Sequence, residues 1–251
     1  CDKQCVVGQR TEKLGRHDRI KTALHGWVWQ FTACCERADS SFFCIYPRLY
    51  HAGATILTMP RPIQAFVHTD ALRHNLARMR AAAPDARVWA VVKANAYGHG
   101  IERVFEGLRG ADGFALLDLD EAQRIRSLGW RGPVLLLEGV FESRDLELCS
   151  RLDLWHTVHC DEQIDMLSRH KTQVPHRIFL KMNSGMNRLG FTPTRFRSAW
   201  TRLNQLPQVD EISLITHFSD ADATKGIAEQ IAKFTKTTED LPGERSTCNS
   251  A

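Results

Sequence analysis

A chain of 251 residues, 43% hydrophobic and 25% charged, has room for one large barrel or two small domains with a sizeable core. Its formal net charge of +4 is small for that length and gives no reason to expect nucleic acid or an anionic membrane as partner. A transmembrane helix needs about 18 or more consecutive apolar residues, and no such run occurs.

Taken from the first residue, the chain opens on a segment of different texture. Residues 1–58 are cysteine-rich and carry eight Lys/Arg against five Asp/Glu, three of the four net positive charges. No sustained helical or strand period runs through them. Trp27-Val28-Trp29 and Phe42-Phe43-Cys44-Ile45-Tyr46 are apolar patches too brief to define a domain. Residues 1–58 therefore read as an atypical extension, non-native or disordered, with a small accessory segment as the alternative. Met59 is the first methionine, and regular patterning begins directly after it.

From there short apolar runs alternate with amphipathic stretches. Asp70–Ala82 is predicted helical, because Leu72, Leu76 and Met79 share a face. Val88–Lys93 reads as a strand, Ile101–Leu108 as a helix, Gly113–Leu117 as a strand and Leu119–Leu128 as a helix. Strands are then expected at Pro133–Leu137 and Leu154–Val158, a helix at Asp161–Arg169 and a strand at Arg177–Lys181. Thr194–Gln205 is the next helix, Ile212–His217 the next strand, and Glu244–Ala251 holds the start of another. Asp118 and Asp161 stand where helix N-caps belong, and Gly129 and Gly190 punctuate element ends. Repeated strand–helix units with apolar strands imply a parallel sheet covered on both faces. Six clear units favour an α/β, TIM-type (β/α) barrel over a doubly wound open sheet, which remains the alternative. The barrel is expected to be incomplete, missing its last strand and leaving two strand edges exposed.

The eight cysteines do not form a disulfide or zinc pattern. Cys1, Cys5, Cys34, Cys35 and Cys44 fall before residue 45; Cys149, Cys160 and Cys248 are scattered and read as reduced thiols of a cytoplasmic protein, since no secretion signal opens the chain. His156 and His159 have no carboxylates near them in sequence and read as structural rather than as metal ligands.

The chemistry is carried by Val91-Val92-Lys93-Ala94-Asn95-Ala96-Tyr97-Gly98-His99-Gly100. A lysine ending a buried strand is unusual, because an ammonium is costly to desolvate. The C-terminal ends of barrel strands are where active sites sit. A partly desolvated lysine there loses basicity, and its neutral amine can attack an aldehyde to form an imine. Gly98 and Gly100 allow a sharp turn and close approach to a ligand, and Tyr97 offers a hydroxyl. Taken by itself, the same segment also fits a lysine snorkelling out of a strand end.

That segment resembles the cofactor-lysine signature of the alanine racemases. Lys181-Met182-Asn183-Ser184-Gly185-Met186-Asn187-Arg188-Leu189-Gly190 resembles the family's second signature, Thr216-His217-Phe218 its strand-end histidine, and Cys248-Asn249-Ser250-Ala251 the start of its phosphate-side segment. Met59-Pro60-Arg61-Pro62 looks like a family amino terminus. The resemblance runs collinearly over residues 59–251, with the catabolic bacterial type most alike. It implies pyridoxal 5′-phosphate as cofactor, alanine as substrate, interconversion of L- and D-alanine, and a homodimer with no metal. Lys93 would be the Schiff-base lysine and the catalytic base on one face. Tyr97, Asn249 and Ser250 would contact the phosphate, with His217 further back in the cofactor site. Arg188 would reach both the cofactor's phenolic oxygen and the substrate, oriented by Lys181, which many members carry in carbamylated form. The family's β-rich second domain, with the opposite-face tyrosine and the arginine facing the pyridine nitrogen, has no counterpart in residues 59–251. The resemblance therefore allows a truncated chain that is weakly active or inactive. The alternative function is a non-catalytic pyridoxal-phosphate-binding barrel, whose members lack the Lys181–Arg188 signature.

Overall fold

The structure is a computed structural model that describes residues 27–32, 65–172 and 174–248. Its strands are β1 (Trp27–Thr32), β2 (Arg87–Val91), β3 (Gly113–Leu116), β4 (Val134–Leu136), β5 (Trp155–Val158), β6 (His176–Met182), β7 (Val209–His217) and β8 (Arg245–Cys248). They pair in parallel, in chain order, around a closed barrel. The helices are α1 (Thr69–Ala82), α2 (Lys93–Tyr97), α3 (Ile101–Leu108), α4 (Leu119–Ser127), α5 (Asp145–Arg151), α6 (Asp161–Arg169), α7 (Pro193–Asn204) and α8 (Ala228–Thr238). Strand closure removes the doubly wound sheet as an alternative.

The family-like stretch supplies seven parallel strands, β2 to β8, which by themselves leave the barrel one strand short, as the sequence predicts. The eighth place is taken by β1, from the segment that the sequence reading sets aside. Val28–Thr32 pairs in register with Arg87–Val91, and Trp27 and Val28 pair with Arg245 and Ser246. The expectation of two exposed strand edges is corrected accordingly: β1 covers both. Six residues are a normal strand length, and Trp-Val-Trp-Gln-Phe-Thr is rich in residues that favour strands. The edges of β2 and β8 carry unpaired backbone groups that such a run can satisfy. The rest of residues 1–58, and residues 59–64, lie outside the described residues.

Strand alternation sorts the buried side chains into two sets. Val88, Ala90, Phe114, Leu116, Val134, Leu136, Ile178 and Leu180 point outward and pack under the helices, which contribute Leu72, Phe105, Ile125, Ile164 and Phe196. Trp89, Val91, Ala115, Leu135, Trp155, Phe179 and Ile215 fill the interior. There Trp89 lies 5.5 Å from Trp155 and 5.8 Å from Phe179, ring centre to ring centre. Gly113 makes room for this plug, since a Cβ on it would stand 2.6 Å from the Trp89 ring. The interior is a packed layer, so any site must lie above it, at the strands' C-terminal ends.

Element boundaries differ from the sequence reading in instructive places. Asp118 is the N-cap of α4 in backbone conformation, although its side chain makes no capping bond. Asp161 is not an N-cap. Cys160 holds that place, and Asp161, one residue into α6, receives ion pairs from Arg195 and Arg202 of α7. Gly129 follows α4 with φ of 89°, the left-handed position that ends many helices. Cys149 and Cys160 are free thiols, and burial pushes Cys149 up to about 12.

Candidate active site

Lys93 stands two residues beyond the end of β2, as the first residue of α2. That element departs from an ordinary helix: Ala94, Asn95, Ala96 and Tyr97 have φ of 52°, 53°, 54° and 54°. Four successive non-glycine residues thus turn left-handedly, at a cost of about 1–2 kcal/mol each. Such strain persists only where the surroundings over-determine it, and it concentrates at functional sites. The turn is closed by backbone bonds from Ala96 N–H to Val92 (2.8 Å), Gly98 N–H to Ala94 (3.0 Å) and Gly100 N–H to Asn95 (2.9 Å). His99 Nδ1–H donates to the Ala96 carbonyl at 2.8 Å. Gly98 at φ 83° and Gly100 at φ 92° then let the chain leave the turn and enter α3. The half-buried Lys93 Nζ stands 5.9 Å from the centre of the Tyr97 ring.

Lys181 and His217 come to the same end of the barrel from β6 and β7. Lys181 is 8% exposed. Arg188 follows in the loop between β6 and α7, and a pocket is lined by Lys181, Met182, Asn183, Met186, Arg188, Leu189 and His217. The loop is tied down in several ways. Asn183 Oδ1 accepts the backbone N–H groups of Gly185 (3.1 Å) and Asn187 (3.0 Å), and its amide donates to Asn187 Oδ1 at 3.0 Å. Thr216 Oγ1 donates to the Met182 carbonyl at 2.9 Å, and the buried Ser184 Oγ lies 2.7 Å from Thr216 Oγ1. Gly190, at φ 118°, is the crossing point: a Cβ there would stand 2.7 Å from Asn183 N.

The electrostatics follow from this crowding of cations. Burial lowers the basicity of Lys93, the nearby Arg188 guanidinium lowers it further, and the Glu138 carboxylate opposes both. Burial likewise brings Lys181 down to about 8, helped by Arg188 and Lys93 and opposed by Glu138. His217 is held down at about 4 by burial and by the charges of Lys181, Arg188 and Lys93, so it is neutral at ordinary pH. Burial and Lys181 also hold His159 below its usual range. Three cationic side chains and a neutral imidazole share a partly desolvated site, an environment that favours an anion and leaves a lysine amine accessible as a nucleophile.

The structure therefore brings together Lys93, Tyr97, Lys181, Arg188 and His217. Asn249 and Ser250 lie outside the described residues. The sequence reading missed Glu138, which acts electrostatically on both lysines, and Glu121, whose carboxylate accepts the Asn95 N–H at 2.6 Å. Neither has a signature of its own: each is one carboxylate in a segment whose pattern reports only helix or strand. It read His156 and His159 as structural; His156 is 1% exposed and sits toward the opposite end of β5 from the lysines, whereas His159 is close enough to feel Lys181. Among the described residues no group of His, Cys, Asp and Glu could hold a metal ion.

Fold and site together define a β/α barrel protein with a cationic, amine-bearing site at the C-terminal ends of its strands. Residues 67–251 match the alanine racemase N-terminal domain, and the chain belongs to the alanine racemase family. Alanine racemases of Albidiferax ferrireducens and Paracidovorax citrulli are 82% and 79% identical to it over 193 residues, 77% of this chain and 52% of each relative. Among solved structures, the biosynthetic alanine racemase of Pseudomonas aeruginosa is 39% identical with a TM-score of 0.68, covering 71% of this chain and 51% of that one. The alanine racemase of Acinetobacter baumannii is 32% identical with a TM-score of 0.67, covering 72% and 55%. The chain spans about half the length of the relatives it matches.

Proposed function

We propose that the chain is the barrel part of a pyridoxal-phosphate-dependent enzyme that interconverts L- and D-alanine, with Lys93 as the residue that holds the cofactor. One observation carries the reading: a half-buried lysine of lowered basicity opens a strained turn at the barrel mouth, within the field of Arg188 and of a second buried lysine. The site fits an anionic aldehyde. It offers an amine that is neutral more readily than an ordinary lysine and cations to meet negative oxygens. Bound here, pyridoxal phosphate would supply an electron sink that acidifies the substrate Cα–H. Lys93 then serves as the base on its own face of the substrate. Arg188 would supply charge-assisted hydrogen bonds to the cofactor's phenolic oxygen and to the substrate carboxylate, and Lys181 would orient Arg188. Tyr97, Asn249 and Ser250 serve the phosphate, and His217 stands behind the cofactor as a neutral neighbour.

Carbamylation of Lys181 belongs to the same reading. An amine near pKa 8 is neutral often enough at physiological pH to react with carbon dioxide, and the product is an anion beside Arg188. Alanine as substrate, D-alanine biosynthesis, a homodimer and a cytoplasmic setting follow from the family. Among the described residues no helix is long and apolar enough to cross a membrane.

The test is direct. Purified chain mixed with pyridoxal phosphate is expected to develop an imine absorbance band, and borohydride is expected to fix the adduct on Lys93. An equal yield of adduct elsewhere in Lys93→Ala would show the assignment to be wrong. Incubated with L-alanine and cofactor in deuterated water, this chain is expected to take deuterium at Cα more readily than it makes D-alanine, because Lys93 serves only one face.

A further inference from the structure

We propose that Glu121 is a positioning residue for the Lys93 amine: its buried carboxylate clamps the left-handed turn that carries Lys93 by accepting the Asn95 backbone N–H. The proposal rests on the reading that Lys93 is the reactive amine.

Glu121 is 6% exposed, and its Oε1 lies 2.6 Å from the Asn95 N. Its place in the sequence makes that contact unexpected. With Asp118 as the N-cap of α4, Glu121 is the third helical residue, the position from which a glutamate ordinarily bends back to the N–H of its own helix cap. Here the second oxygen only grazes the backbone N–H of Leu117, at 3.5 Å, while the short bond leaves the helix for the neighbouring strand's turn. A carboxylate used solely to begin α4 would show the reverse. Asn95 lies inside the left-handed run, with Ala94 before it and Ala96 and Tyr97 after it.

The clamp has a second layer. The Asn95 side-chain oxygen accepts the Ile101 N–H at 3.1 Å and an Arg124 N–H at 2.8 Å. Arg124 also donates to both oxygens of Glu102, at 2.7 and 2.6 Å. Thus α4 sends two residues, one turn apart, to the same turn: Glu121 to its backbone and Arg124 to its side chain. Both grip the residue two positions after Lys93, and nothing in this network touches Lys93 itself. Its lever arm is the backbone between Lys93 and Asn95, whose left-handed geometry fixes where the lysine stem leaves the strand.

The experiment uses the full chain, with Glu121→Leu and Glu121→Gln beside the parent. Competitive acetylation with trace acetic anhydride reads the reactivity of Lys93 against exposed Lys225 across a range of pH. Amide exchange of the peptide containing Asn95 reads the clamp. Glu121→Leu is expected to speed exchange at Asn95 and to change the Lys93:Lys225 ratio near neutral pH by about fivefold, the size of a shift somewhat under one pKa unit. The ratio is expected to fall, because a loosened turn lets water reach the amine and restores its basicity. Glu121→Gln keeps an acceptor for Asn95 but places an amide NH2 against Leu117 N–H, so a smaller fall in the same direction is expected. If either folded variant shows the parent's labelling ratio, or if exchange at Asn95 is unaltered, the proposal is overturned. Should Glu121→Leu fail to fold, the Gln variant decides by the same two readings. Because acetylation needs no cofactor, an absent pyridoxal phosphate adduct in the parent would count against the proposed function and leave this test intact.

Discussion

Replacing His156 with leucine is expected to make the barrel less sensitive to acid. The imidazole is 1% exposed, and neither ring nitrogen has a hydrogen-bond partner. It packs edge-on against His176, 5.1 Å away between ring centres, and His176 in turn lies 5.3 Å from His170. Burial, with the charges of His176 and His170, holds His156 down at about 3; burial, with His170, holds His176 at about 4. In the unfolded chain each regains its ordinary value of 6.5. The unfolded state therefore binds protons that the folded state refuses. Stability is complete above pH 6.5 and is lost as pH falls toward 4 and 3. Each group costs about 1.4 kcal/mol per pH unit in that window, so acidification to about pH 5 removes about 2 kcal/mol per histidine and about 4 kcal/mol for the pair. That is a large part of the usual 5–15 kcal/mol of a folded domain, roughly. His156→Leu keeps a similar volume and removes one of the two groups. The acid loss is expected to halve, to about 2 kcal/mol, with a gain of about 1–2 kcal/mol at neutral pH from deleting an unpartnered polar ring. Urea unfolding followed by circular dichroism at about pH 7.5 and about pH 5 measures both. A variant that loses as much stability as the parent on acidification would refute the argument.

Three further outcomes are expected. Gly190→Ala is expected to lower stability by about 2–3 kcal/mol, read as a fall in melting temperature, because its Cβ would meet Asn183 N at 2.7 Å and its φ is 118°. Lys181→Met is expected to raise the pKa of His217 from about 4 toward its ordinary range, since Lys181 is the largest charge acting on it after burial; an unchanged NMR titration of His217 would contradict the shared site. Arg126→Met is expected to destabilise by about 3 kcal/mol in thermal or urea unfolding, because the guanidinium donates to the carbonyls of Leu152, Trp130, Gly132 and Asp153 and their loss leaves part-buried acceptors unmet.

What the sequence made legible follows the strength of local signals. Strands β2 and β4 were visible because Val88–Val91 and Val134–Leu136 are apolar without interruption, as a strand buried on both faces is. α3 was visible because Ile101, Val104, Phe105 and Leu108 fall on one face. α5 and α8 were missed: the first has only Leu146 and Cys149 buried, and the second only Phe234 and Thr238. β1 was missed because its place depends on two edges distant in sequence, those of β2 and β8, and no local period announces that demand. In the candidate site, Lys93 and Arg188 stood out in the sequence because they sit in long signatures. The electrostatic effect of Glu138 on Lys93 and Lys181, and the grip of Glu121 on Asn95, arise only when segments that follow different strands converge.

The two ends of the barrel divide the energetic labour. At the strands' N-terminal side the interior is closed by Trp89, Trp155 and Phe179, with Arg87 and Arg177 stacked over Trp155 at 5.8 and 5.4 Å. That layer is apolar and well packed, and it repays the costs incurred above it. At the C-terminal side the chain accepts four left-handed residues in succession and sets Lys93, Lys181 and Arg188 around one pocket. Neither feature favours folding. Each makes sense for a site that receives an anion, which the cations would meet as counter-charges. The apolar plug also sharpens those charges, because it keeps water from reaching the site from beneath and so lowers the local screening. A shallow exposed lysine could offer the same amine, but without the loss of basicity that burial brings to Lys93. Burying Lys93 within the field of Arg188 exchanges some stability for an amine that gives up its proton more readily than an exposed one.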